Sequence, residues 1–210
     1  MYLQPDVNSR LTQIKEQLNI DNRDTFLIDE LLQALDLSFI DMKIAFEHKW
    51  EFSTKVPEDT LSVSGLFFDD ENQYYKIFIC LHSSTFSINA KEWDDIAFDL
   101  SLNIQHELIH KLQNENRPED IEQRNRNFGK ENEKYLSNPD ELDARAHDIS
   151  LELTRTLCYN DAIVGLKSKK SISPTLQEYR ITFADDPTVL RKLLKKVYIY
   201  MNSPTCVWKP

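Results

Sequence analysis

The sequence predicts an α+β fold, mostly helical, with a small β-hairpin or sheet lying ahead of a long central helix. Three observations carry that expectation. Over residues 24–48, Phe26, Leu27, Leu31, Leu32, Leu35, Leu37 and Ile40 recur at threes and fours, which is helical spacing. LSVSGLFFD (61–69) and YYKIFICLH (74–82) are instead rich in β-branched and aromatic residues, and the polar Asp70-Glu71-Asn72-Gln73 separates them as a hairpin turn would. From Asp94-Asp95 onward the helical period returns, beginning with carboxylates that suit a helix N-terminus.

Taken in order, a first helix covers 8–20 and a second 24–48, with Asn22-Arg23-Asp24 as cap and break between them. The hairpin follows, then a third strand over Ser84–Ile88. The central helix runs to about Gln113. Residues 114–134 are polar and contain Pro118 and Gly129, which predicts a loop or a loose helical excursion. Ser137-Asn138-Pro139 opens a further helix reaching about Cys158, and Pro174 and Pro187 punctuate a tail whose last helix spans roughly 188–201. A chain of 210 residues, 40% hydrophobic, supports one packed domain. Its expected parts are N-terminal helices (1–55), a core (58–160) and a helical extension (161–210).

Composition narrows the partners. With 25 Lys+Arg against 35 Asp+Glu the formal charge is −10. Such a surface repels a phosphate backbone, so no nucleic-acid partner is expected. Lys167-Ser168-Lys169-Lys170 and Arg191-Lys192-Lys195-Lys196 are read as solvated faces. The N-terminal MYLQPDVNSR has neither a basic nor an apolar signal region, and no apolar run approaches the roughly 18–20 residues that span a bilayer. Cys80, Cys158 and Cys206 are odd in number and widely spaced, as reduced thiols are, which argues against a cysteine-type zinc site and points to the cytoplasm of a producer or infected host cell.

The chemistry concentrates in SLNIQHELIHKLQ, residues 101–113. On a helix His106 and His110 stand one turn apart, so both imidazoles reach one ion. Zinc accepts imidazole nitrogen and carboxylate oxygen, and a catalytic site keeps one position for water. Glu107, about 100° round the helix, is placed to act as general base on that water. The competing reading is an ordinary helix that happens to carry two histidines. Against it, Asp99, Asn103, His106, His110 and Gln113 form one polar stripe of amides and histidines. A merely solvated face more often carries Lys and Glu. Asp99, Asn103 or Gln113 would orient a ligand imidazole from behind.

A third ligand must come from elsewhere. HELIHKLQNEN lacks the Gly and third His of the metzincin continuation, which leaves a downstream carboxylate in YLSNPDELDARAHDISLEL (135–153). HELIH followed by ELDARA resembles the HExxH…ExxA pattern of small gluzincin-type metallopeptidases. It is similar to the ImmA/IrrE group and to short phage-encoded metallopeptidases, with Gln113, Tyr135, Pro139, Glu141 and Ala144 at matching places over residues 75–155. The resemblance implies a zincin-like minimal domain that hydrolyses a protein or peptide, with Zn2+ held by His106, His110 and Glu141 and Glu107 as base. Ala144 would be small to let two helices approach. Tyr135 or His147 would donate to the oxyanion.

Alternatives stay open at this point. Asn138-Pro139-Asp140-Glu141 is equally a capping box with Glu141 as its reciprocal member, and Asp143, His147 and Asp140 are rival ligands. An extended substrate would pair with an edge strand, for which YYKIFICLH and Ser84–Ile88 are the candidates. A non-catalytic protein of the same fold with a structural zinc is the rival function, and retention of Glu107 weighs against it. A DNA-associated protease of the SprT type would bring a cysteine ribbon and a basic surface, and this chain has neither.

Overall fold

The structure is a computed structural model that describes residues 6–39, 44–49, 61–69, 75–83, 86–116, 132–168 and 172–203. It is α+β, with more helix than strand among those residues. Two compact units are formed, one from Gln4–Leu108 and one from Ile109–Lys209.

In the N-terminal unit, helix α1 (Asp6–Gln17) buries Val7, Leu11 and Ile14 at helical spacing. A 3-10 turn at Ile20–Asn22 leads into strand β1 (Thr25–Leu27) and helix α2 (Ile28–Phe39), which buries Ile28, Leu31, Ala34, Leu35 and Phe39. The expected helix over 24–48 is thus shortened at both ends. At its start Thr25, Phe26 and Leu27 pair with strand β5 (Ser87–Asn89), Phe26 opposite Ile88. The Leu27 N–H and the Arg23 guanidinium bind the Glu30 carboxylate and hold it below its ordinary range, so α2 begins on a satisfied cap. At its end, Ile44–Lys49 forms strand β2, because parallel pairing with strand β4 (Tyr75–Ser83) outweighs a weak local helical preference.

Strand β3 (Leu61–Asp69) and β4 form the expected hairpin, with Leu61 opposite Ser83 and Asp69 opposite Tyr75. The hairpin turn lies outside the described residues. The three-stranded sheet runs β2-β4-β3, and β5 belongs to a separate two-stranded sheet with β1. YYKIFICLH is therefore a central strand, and among the described residues β3 is an edge. Ile77, Ile79 and Leu81 line the buried face of β4, and their β3 partners are Phe67, Gly65 and Val63.

Helix α3 (Trp93–Asn116) is the long central helix and continues through the boundary of the two units. Ile96, Leu100, Ile104 and Leu108 are buried along it, and Ser101 donates to Asn8 of α1 while Gln105 donates to Ser101. Residues 117–131, most of the expected loop, lie outside the described residues.

The C-terminal unit contains α4 (Asn132–Leu136), α5 (Pro139–Thr156), α6 (Tyr159–Lys167), α7 (Pro174–Thr182) and α8 (Pro187–Met201). Its core joins Leu142, Ala146, Ile149 and Leu153 of α5 to Leu176 and Tyr179 of α7 and to Val189, Leu193 and Val197 of α8. Each buried Leu, Ile or Val side chain among them contributes roughly 1.5–3 kcal/mol. Glu152 of α5 ties down the start of α7, accepting from the Ser173 and Thr175 hydroxyls and the Thr175 N–H. Burial pushes the Glu152 carboxyl above its ordinary value, and those donors pull against it. Among the described residues no helix is long and apolar enough to cross a membrane.

Candidate metal centre

His106, Glu107 and His110 occupy one continuous stretch of α3, so their mutual placement is set by the helix itself. His106 and Glu107 are buried and His110 half-buried. Glu141 sits in the first turn of α5 and is 2% exposed. A carboxylate so deeply placed needs a cation or donors to remain ionised.

Both are present. Arg145, one turn along α5, donates from Nε to Glu141 Oε1 at 2.7 Å. The other oxygen, Oε2, stands 3.3 Å from His110 Nε2. His106, His110 and Glu141 each offer a ligand atom, and the three atoms lie within 4.8 Å of one another. Two imidazole nitrogens and one carboxylate oxygen at that separation fit a first-row divalent ion such as zinc and leave room in a tetrahedral shell for one more ligand.

The back of His110 is fixed by Gln113. Asp140 C=O can only accept, so the Gln113 amide turns its Nε2 to it at 3.1 Å. Its Oε1 then faces His110 Nδ1 at 2.9 Å and accepts its hydrogen bond, so Nε2 is the nitrogen presented to Glu141. The same amide thereby joins the His110 turn of α3 to the first turn of α5. Where the group holds zinc, Gln113→Ala is expected to weaken that binding about 10–100-fold, the usual cost of losing such a partner. Competition against a zinc indicator reads it directly.

Asn138 caps α5 through the Asp140 N–H with Pro139 in the first position, and the Glu141 side chain turns to Arg145 and His110. Asp143 pairs with Lys196 of α8 at 2.6 Å. His147 is fully buried with its ring edge-on to Tyr200, centroids 5.3 Å apart. Neither belongs to the ligand group. Asp140 serves through its carbonyl. Asn103 donates to the Asp99 C=O of its own helix. Tyr135 is half-buried and packs against the C-terminal core. Ala144 is fully buried.

Two residues here were not anticipated. Arg145 pairs with Asp148 at 3.7 Å as well as with Glu141. Burial alone would lower its guanidinium, but the two carboxylates outweigh that and hold it above its ordinary value. Tyr179 donates to the Leu136 C=O, and burial followed by the charge of Glu141 pushes its phenol up, so it remains a donor. Acid–base pairing at i and i+4 was the legible signal for Arg145; Tyr179 had none. No protein-family model, no curated protein and no solved structure matches the chain.

Proposed function

We propose that the chain is a zinc-dependent metallopeptidase acting on a protein or peptide. The observation that carries the reading is the His106–His110–Glu141 group, with Glu107 on the same helix between the two histidines. A structural site has no use for a buried carboxylate at that position, whereas hydrolysis requires a base beside the activated water.

When bound, zinc supplies the Lewis acidity that makes water acidic and a carbonyl electrophilic. Glu107 takes the proton from water and later delivers it to the leaving amine. Gln113 and Arg145 hold His110 and Glu141 in place while that happens. Strand β3, an edge strand that passes Glu107 at Gly65, is the backbone along which an extended peptide aligns.

Elemental mass spectrometry on protein dialysed without chelator is the test. About one zinc per wild-type chain is expected, lost in Glu141→Ala, together with chelator-sensitive cleavage of a denatured-protein mixture. A wild-type chain that takes up no zinc even when it is supplied rules the reading out.

A further inference from the structure

Gly65 lies in the middle of β3, paired with Ile79 of β4, on the face where β4 buries Ile77, Ile79 and Leu81. Its neighbour on that face is Val63, so the apolar pattern of the strand is interrupted there and nowhere adjacent. Glycine is a poor strand residue, and within a strand it often marks a close approach by another group. Here no left-handed backbone demands it. Space does. A methyl group at Gly65 would stand 2.8 Å from Glu107 Cγ, 2.9 Å from Oε1 and 3.2 Å from Cδ. Those contacts are too short to persist, and they involve the middle of the Glu107 side chain as well as its end. Glu107 is 6% exposed, which leaves it little room to move aside.

We infer that Gly65 is the positioning residue for the Glu107 carboxylate. β3 omits one side chain so that Glu107 can lie against the strand, and the notch selects the conformer in which the carboxylate is held. Its functional meaning rests on Glu107 being the general base. A side chain at 65 leaves the ligands untouched and displaces the base. Gly65→Ala therefore keeps its zinc and loses turnover in kcat more than in KM.

The contact itself is read by a double-mutant cycle on thermal unfolding, which needs neither metal nor substrate. Gly65→Ala is expected to lower the unfolding midpoint by about 3–8 °C, an overpacking effect. In the Glu107→Ala background the same substitution is expected to be neutral or to raise the midpoint, because alanine otherwise suits a strand better than glycine. In parallel, spectra of chains carrying 13C-carboxyl glutamate identify Glu107 by the signal missing in Glu107→Gln. That signal should shift in Gly65→Ala while the other glutamates stay in place.

An equal loss in both backgrounds, or an unmoved Glu107 signal, overturns the assignment. Where Gly65→Ala fails to fold, recovery of folding in the double variant supports it and persistent failure overturns it. Zinc missing from the wild type overturns the base reading instead, and metal content alone reports that.

Discussion

Glu107→Gln should fold, carry the same zinc per chain as the wild type, and hydrolyse its substrate about 10²–10⁴-fold more slowly. The amide has the size and shape of the carboxylate, so it occupies the space beside Gly65 without new contacts. It cannot accept a proton at neutral pH. On the proposed reading it is also no ligand, since the group that would hold the ion is His106, His110 and Glu141. Metal content and turnover are thus separated by one substitution. Full turnover with zinc retained would sink the role given to Glu107, whereas loss of zinc together with activity would show that it holds the metal. Measured kcat alongside elemental analysis of the same preparation distinguishes the three results.

Arg145→Met should cost about 3 kcal/mol of folding stability in the metal-free chain, read as a lower urea midpoint with an unchanged slope. Glu141 and Asp148 are each 2% exposed, and Arg145 is the cation between them. Removing it takes away the guanidinium that the two buried carboxylates share. The low end of the range for a broken buried pair applies because the Arg145 side chain itself keeps 30% exposure. Arg145→Lys should recover only part of the loss, since an ammonium replaces charge but not the Nε hydrogen bond to Glu141. A variant within about 0.5 kcal/mol of wild type would mean that the carboxylates are neutralised by other means.

The helical half of this architecture was legible because its signals are local. The apolar spacing of α1, α2 and α3 and the Asn138-Pro139 cap all act within a few residues. β2 was not legible, since its existence depends on β4, some 30 residues away, and its six residues carry a pattern too short to compete with the helix before it. β1 and β5 are three residues each and exist only as each other's partners.

At the site, HELIH displayed its two histidines and the glutamate between them by spacing alone. Glu141 stood between two readings, and the direction its side chain takes, toward Arg145 and His110, is something no spacing rule encodes. Gln113 was readable as a candidate from its place on the polar stripe; its bond to Asp140 C=O was not. Gly65 was written plainly in LSVSGLFFD, one of only three glycines in the chain, but its occupant comes from a helix 42 residues later.

The contact between His110 and Glu141 closes a loop of 31 residues. Closing a loop of that length costs an unfolded chain about 3–4 kcal/mol of configurational entropy. In small zinc modules the ion must offset such a cost itself, and the chain without metal is unstructured. Here the packing of α5 on α7 and α8, and the Gln113 amide across to Asp140, have already brought the ends together. An ion bound by this group, as proposed above, would meet a loop already closed, so little of its binding energy would be diverted into ordering the chain. On the proposed reading, the chain without metal is expected to keep its fold and its hydrophobic core, and to take up zinc again after chelation.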